Sequence, residues 1–479
     1  MRTLSTDVAI IGAGTAGLNA RREVERAGKS WLLIEAGSYG TTCARTGCMP
    51  SKLLIAAADT ARSARRASVF GLRIPEEAIR VDGAAVLARV RRERDRFTRL
   101  TAQATESLPE ACRLRGRARF VGPGELQVDD HTRVRARTIV IATGSVPVVP
   151  KELAPLGDQV LTTDTLFELE TLPESIAVFG TGAIGLEIGQ ALAQLGVRVT
   201  FYNPFDVVGP FTDPEVKARF RAHVAADLDV ALGVQIVGVR AEKGLVTIQH
   251  REPQGRTRER AFSHVLAAVG RRPALEALAL DRAGIPLDDK GLPHADRETM
   301  RCGDSNVFLA GDVDAERPLL HEAVDEGRIA GANAARHPEV TPHTRRIPLH
   351  IGFTHPQIAL VGLTYEQAQE HDVAIGESSY DDQGRARVMG QNRGVVRVYG
   401  SRKDGKLRGA ELFGPGVEHT AHLLALAVQE GLTVEALLRM PVYHPTLEEG
   451  IRSALQHLAR ELGAKAPEGN AELGDCPGG

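Results

Sequence analysis

The segment Gly40-Thr-Thr-Cys43-Ala-Arg-Thr-Gly47-Cys48-Met-Pro50-Ser-Lys52 gathers two thiols, two glycines and a lysine within a short stretch of chain. On one regular helix, thiols five positions apart would diverge around the axis, so pairing Cys43 with Cys48 requires Cys43 to lie on irregular chain, with Gly47 allowing the fold back. Pro50 is tolerated in a first helical turn, and Ser51-Lys-Leu-Leu-Ile-Ala-Ala-Ala-Asp continues as a helix. Cys48 therefore falls at a helix N-terminus, where unpaired amides and the macrodipole stabilise a thiolate. Lys52, four residues on, shares its face. The arrangement reads as a redox centre against which an electron-accepting ring could lie. A zinc half-site or two core cysteines are the competing readings, but Cys112, Cys302 and Cys476 are isolated and supply no second ligand pair. No metal site is expected.

A second candidate lies near the other end, in Tyr443-His444-Pro445-Thr-Leu-Glu448-Glu449. His444, preceding a proline, is extended, and Glu449 opens the next helix, from which its carboxylate can reach back to one ring nitrogen and leave the other as a proton acceptor. A helix start with an incidental histidine is the alternative.

Two further segments must position these groups. Val8-Ala-Ile-Ile11 reads as a buried parallel strand followed by Gly12-Ala-Gly14-Thr-Ala-Gly17, a helix over 18–27, and a strand Trp31–Ile34 ending in Glu35. In such a unit Gly12 makes the tight turn, Gly14 lets the amides approach a pyrophosphate, Gly17 allows helix–strand packing and Glu35 meets the ribose. Ile176–Phe179 leads into the same pattern at Gly180, Gly182 and Gly185, with Glu187 in the following helix and a strand ending in Asn203. Asn203 either bonds a ribose hydroxyl without repelling a 2′-phosphate or simply forms a turn beside Pro204. With no cation before Lys217 and Arg219, the site leans to NAD, NADP remaining possible. Two dinucleotide units around one thiol pair imply two cofactors.

At 479 residues the chain exceeds one core, and two or three domains are expected. A formal charge of −2 offers no basic field, so neither nucleic acid nor a membrane surface is an expected partner. Five cysteines make no disulfide scaffold, and a single deliberate pair suits a redox centre in the cytoplasm. The span from Ala56 to Ala104 is expected to be helical, its arginines forming a solvated face. A small antiparallel excursion is expected over 114–137, a domain boundary near Pro147 to Pro155, and in the third region strands near 357–361 and 394–398. The tail 466–479, carrying Cys476, has a disorder-prone composition.

Together these motifs resemble the pyridine nucleotide-disulfide oxidoreductases (class I), most closely the dihydrolipoamide dehydrogenase type. The resemblance rests on Cys43-x-x-x-Gly47-Cys48-Met-Pro-Ser-Lys52, Ala142-Thr-Gly144, Gly180-x-Gly-x-x-Gly-x-Glu187, Gly311-Asp312 and His444-Pro-Thr-x-x-Glu449, in family order. It implies an α/β fold of two three-layer Rossmann-like domains, FAD-binding over 1–149 and 276–343 and NAD(P)-binding over 150–275, followed by an α+β dimerisation domain over 344–465. It implies FAD on Gly12, Gly14, Gly17, Glu35, Thr42, Thr143, Gly144 and Asp312, and NAD on Gly180, Gly182, Gly185, Asn203 and Gly270. By the same resemblance Cys48 is the thiol that touches the flavin and Cys43 the interchange thiol, paired as a redox disulfide. Lys52 and Glu187 then flank the flavin, and His444 with Glu449 is the acid–base pair, given to the partner subunit of a homodimer. The implied activity is oxidation of dihydrolipoamide by NAD+, with a small molecule or lipoyl domain as substrate and a 2-oxo acid dehydrogenase complex as possible partner. The residues between the cysteines, Ala44-Arg45-Thr46, and Asn203 depart from the usual pattern. An NAD(P)H-dependent reductase of another disulfide, metal ion or oxidant therefore stays open, as does a redox-sensing binding protein.

Overall fold

The computed structural model describes residues 1–463; the tail expectation and Cys476 lie outside the described residues. Strand Arg2–Ile11 is buried over Val8–Ile11. It pairs in parallel with Trp31–Glu35 on one side and Thr132–Ile141 on the other. Thr132–Ile141 is long enough to serve two partners, its first half antiparallel to Glu125–Val128 and its last residues parallel to Val307–Leu309. Chain from both sides of the second unit thus shares one seven-stranded sheet. The antiparallel excursion is present as Ala118–Gly122, Glu125–Val128 and Thr132 onward.

The second unit is a parallel sheet in the order Asp229–Leu232, Arg198–Asn203, Ser175–Phe179, His264–Ala267, Val160–Leu161. An antiparallel three-stranded sheet over 235–262 accompanies it. The chain enters and leaves this unit through one short ladder, Ser145–Pro147 against Arg271–Pro273. Arg271 locks it by donating Nη2 to the Ser145 carbonyl at 2.7 Å. The third unit is a five-stranded antiparallel sheet carrying helices Val417–Gln429 and Glu448–Glu461. Two strands were expected there and five are found. Leu349–Gly352, for example, is half-exposed along most of its length and has no clean alternation of apolar and polar residues.

The expectation of continuous helix from Ala56 to Ala104 is corrected. Helix Cys48–Arg65 ends, Gly71 takes a left-handed φ of 80°, and a second helix, Gly83–Glu106, starts at Asp82, whose carboxylate accepts from the Ala85 amide at 2.9 Å. Its arginines are not all solvated. Arg94, 11 % exposed, pairs with Glu168, and Arg91 bonds the Leu169 carbonyl, so this face docks against the second unit.

Candidate active site

Cys43 does not sit on irregular chain. It lies in a single helical turn, Thr42–Arg45, capped by Thr41, and a break at Thr46 and Gly47 separates that turn from the helix that Cys48 opens. Two helical segments with a kink between them satisfy the pairing geometry that one continuous helix could not. At Gly47 a Cβ would lie 3.3 Å from the Cys43 Cα, which shows how closely the two segments approach.

The structure holds the pair as two thiols. The Cys43 thiol hydrogen bonds to Cys48, which is the main reason the Cys48 thiol falls to about 6; the Lys52 ammonium and the Cys48 backbone amide add to this against the opposing effects of burial and of Glu187. The same bond pushes Cys43 upward, reinforced by burial. At neutral pH Cys48 is a thiolate and Cys43 a thiol, an asymmetry set by position on two helical turns.

Lys52 Nζ meets Glu187 Oε2 at 2.7 Å, joining the first and second units across 135 residues. The other carboxylate oxygen accepts from the Phe353 amide at 2.7 Å, and the Phe353 ring lies under the Lys52 ammonium, 4.6 Å from its centroid. The sequence reading missed Phe353, and no local pattern marks it. His350, three residues earlier in the strand Leu349–Gly352, lies in the field of Lys52 and Glu187, and burial chiefly lowers its pKa. Its Nε2 and that of His321 are buried without a hydrogen-bond partner.

His444 Nδ1 and Glu449 Oε1 are 2.8 Å apart, and Glu449 Oε2 accepts from the Thr446 amide at 2.9 Å. Glu449 is 4 % exposed, whereas the His444 side chain is 58 % exposed and presents its other nitrogen to solvent. Gln383 steadies this turn by donating to the Thr446 carbonyl at 2.7 Å. Within one chain His444 stands on the third unit, and the thiols stand on the first.

The residues fit a dinucleotide on the first fingerprint. A Cβ at Gly12 would lie 2.3 Å from the Ala142 carbonyl oxygen and one at Gly17 1.9 Å from that of Gly12, whereas at Gly14 it would meet nothing within 4 Å. That open side is where a pyrophosphate can approach. Glu35 places Oε2 on the Ala13 amide and Oε1 on the Gly37 amide, each at 2.7 Å, with lone pairs left for ribose hydroxyls. Thr143 Oγ1 is buried without a partner beside Gly144, and Asp312 accepts from Ser145 Oγ at 3.0 Å. Thr42 lies in the turn that holds Cys43. Gly180, Gly182 and Gly185 repeat the pattern, and Gly270 has a positive φ with no atom in the way of a Cβ. Asn203 behaves differently. Its Nδ2 donates to Thr181 Oγ1 and the Val207 carbonyl, and its Oδ1 accepts from the Phe205 amide, so the side chain closes a turn.

Residues 6–327 match the pyridine nucleotide-disulphide oxidoreductase family model, and residues 349–455 match the dimerisation domain of the same family. The chain belongs to this family of flavoenzymes, which use FAD and NAD(H). It is 33% identical over 465 residues to a dihydrolipoyl dehydrogenase of Thermus scotoductus, covering 95% of this chain and 98% of that protein. It is 30% identical over 467 residues to a dihydrolipoyl dehydrogenase of Halobacterium salinarum, covering 94% and 96%. Among solved structures it resembles LpdA from Mycobacterium tuberculosis, with 25% identity, a TM-score of 0.79 and coverage of 96% and 100%. In fold it also resembles the HOCl-induced flavoprotein disulfide reductase RclA from Escherichia coli in its Cu(II) complex, with 23% identity, a TM-score of 0.81 and coverage of 94% and 99%. Among the described residues no helix is long and apolar enough to cross a membrane, and no group of three or more His, Cys, Asp or Glu side chains is placed to hold a metal.

Proposed function

We propose that the chain oxidises dihydrolipoamide, free or on a lipoyl domain, with NAD+ as the final acceptor. The observation that carries this reading is the polarised thiol pair, with Cys48 lowered to about 6 at a helix start one turn from the Lys52–Glu187 pair. Near-complete alignment with two dihydrolipoyl dehydrogenases supports the substrate class. Work as part of a 2-oxo acid dehydrogenase complex, in the cytoplasm, belongs to the same proposal.

In the oxidised enzyme Cys43 and Cys48 share a disulfide. A substrate thiol gives its proton to His444, held by Glu449, and the resulting thiolate attacks the Cys43 sulfur, so that one sulfur–sulfur bond forms as the other breaks. Cys48 leaves as a thiolate, stabilised by its helix start and by Lys52. The second substrate thiolate then attacks the mixed disulfide, releasing the cyclic product and a reduced Cys43. Cys43 and Cys48 then close their disulfide again, the Cys43 proton leaving through His444; FAD, which Gly12, Gly14, Gly17 and Glu35 would hold, would supply the two-electron acceptor for this oxidation and the hydride donor for NAD+. Glu187 holds Lys52 in place, and Phe353 fixes Glu187 from the third unit.

Steady-state turnover of dihydrolipoamide with NAD+ tests the proposal. If the enzyme reduces another disulfide or oxidant with NAD(P)H but leaves dihydrolipoamide untouched, the substrate assignment fails and the family stands. Reduction of the thiol pair without any flux points to a sensor. We further propose a homodimer in which His444 serves the partner's thiols. Cys48→Ser and His444→Gln, each inactive alone, should then recover roughly a quarter of wild-type activity after random subunit exchange. Exchange with no recovery rules out the shared site.

A further inference from the structure

A cleft of about 880 Å³ lies away from the thiols, where the three units meet. It is lined by Arg62 and Arg65 of the thiol helix and Arg66 just after it, by Arg393 of the third unit, and by His223 and His355. Four guanidiniums thus face a space lined by only two carboxylates, Glu76 and Asp227. Asp227 is already engaged, 3.5 Å from both Arg393 and His223.

Helix-end arginines often do no more than complement the macrodipole and cap carbonyls, and part of this set does so. Arg65 bonds the Gln194 carbonyl, and Arg66 bonds the Gly390 carbonyl at 2.6 Å. Carbonyl bonds satisfy donors and leave the charge uncompensated. Arg62 is the telling case. Its side chain is 17 % exposed, and its Nε is buried without a hydrogen-bond partner, 4.0 Å from the half-exposed carboxylate of Asp59 one turn back on the same helix. Its Nη1 donates to the ring of His355. That ring is a neutral acceptor, since burial and the surrounding cations hold it down to about 3. A largely buried guanidinium paired with a neutral imidazole among further cations is an incomplete arrangement, and an anion would complete it.

We propose that this cleft binds a diphosphate-bearing small molecule. Several planar guanidiniums lining one cleft match paired phosphate oxygens in fork geometry, and the volume is that of a small-molecule site, larger than a single phosphate fills. The cleft shares its walls with the redox station. The thiol helix carries Lys52 at one end and Arg62 at the other, and the helix Ala183–Gln194 carries both Glu187 and Gln190. Gln190 clasps the backbone of His355, donating to its carbonyl at 2.8 Å and accepting from its amide at 2.6 Å, while Phe353, two residues earlier, bonds Glu187. An anion drawing on His355 and Arg62 therefore acts on the same turn that fixes the Lys52–Glu187 pair.

The test uses the FAD-loaded enzyme without NAD+, which carries a diphosphate of its own and would compete for the cleft; binding that survives in the cleft variants belongs to the nucleotide fingerprint. Titration calorimetry with inorganic pyrophosphate should give one site per chain, weakened by salt. Arg65→Gln with Arg393→Gln should lose roughly tenfold or more in affinity, the size expected for removing charge-assisted contacts. Arg221→Gln, at a residue that pairs with Asp206 outside the cleft, should leave it unchanged. Absence of saturable pyrophosphate binding to the wild type, or full binding by the double variant, overturns the site. Should the double variant lose its flavin, the single exposed-rim variant Arg393→Gln makes the same comparison, and Arg393→Lys should restore part of the affinity. ADP in place of pyrophosphate distinguishes the sources: equal affinity means that recognition stops at the phosphates, and tighter binding means that a nucleoside fills the remaining space. Pyrophosphate should also shift the flavin absorbance of the wild type but not of the double variant. Binding without that shift overturns the coupling and leaves the site.

Discussion

The two glycine fingerprints share their glycine geometry and differ in side-chain chemistry. Gly12 and Gly180 take φ of 109° and 108°, and a Cβ on either would lie 2.3 Å from a carbonyl oxygen of the neighbouring strand loop, Ala142 or Ala268. Gly14 and Gly182 both face open space. At the end of the second strand they part. Glu35 spends its two oxygens on amides of the phosphate loop and the next turn, and it keeps a charge for a ribose. Asn203 is spent on its own loop. The backbone demand of a pyrophosphate is thus met the same way twice, while the ribose contact is decided locally by what the strand end must also hold.

The largest effects should come from the shared glycines, and they should separate the two cofactors. Gly12→Ala forces a side chain into the Ala142 carbonyl at a left-handed φ, a cost of roughly 1–3 kcal/mol or more, and the protein should purify without flavin. Gly180→Ala meets an equal clash. It should keep its flavin and still pass electrons from a dithiol to it in a single turnover, but NAD+-dependent turnover should collapse. Gly14→Ala clashes with nothing in the protein, so it should fold with unchanged thermal stability and lose flavin only through the occupied approach space. Flavin-to-protein ratio and stopped-flow absorbance decide among these. Loss of flavin in Gly180→Ala would show that the units do not act separately.

The first unit also contains a buried acid whose titration should be visible. Glu326, 1 % exposed, accepts the Gly311 amide at 2.7 Å beside Asp312 and pairs with Arg345 at 2.6 Å. Burial and the nearby Asp314 nevertheless raise its carboxyl from 4.5 to about 7. The folded protein therefore holds a proton that the unfolded chain releases. Its stabilising contribution is full below pH 4.5 and is lost as pH rises through 7. Glu326→Gln keeps an acceptor for Gly311 and cannot titrate, so the Tm of wild type should fall relative to the variant between those values. The gap should correspond to at most about 3 kcal/mol. A constant difference across that range would mean that Arg345 keeps the acid ionised throughout.

The features legible in the sequence are those a short segment dictates alone. The fingerprint glycines, the strand end at Glu35, the helix start at Cys48 and the reach from Glu449 to His444 each depend on residues within one turn or one loop. The Lys52–Glu187 contact spans 135 residues and came only through family resemblance. Phe353 was not legible at all, because it acts through a backbone amide that any residue could supply and a ring whose partner lies in another unit. The same holds for the cleft, whose arginines read as one more solvated helix end until Arg393 and the His355 turn close it from the third unit. The helix break at Gly71 was locally encoded, yet the helical composition on either side of it masked the signal.

The smallest effect should be at Asn203, and it sharpens the contrast most directly. With its amide committed to Thr181 and Val207, the side chain neither repels nor clamps a 2′-phosphate, so NAD(H) should be used better than NADP(H) by a modest margin. Asn203→Glu recreates the Glu35 arrangement at the second fingerprint and places a charge where a 2′-phosphate would lie. The ratio of kcat/KM for the two nucleotides should move toward NAD(H) by roughly tenfold, about the 1.4 kcal/mol that one screened like-charge contact supplies. Part of that gain should be offset by lost stability, because a glutamate cannot donate to Thr181 and the Val207 carbonyl as the amide does. If the variant instead leaves the ratio unchanged, the ribose is held elsewhere on the loop, and the two fingerprints differ in more than their strand-end residue. A wild-type preference for NADP(H) would mean the same.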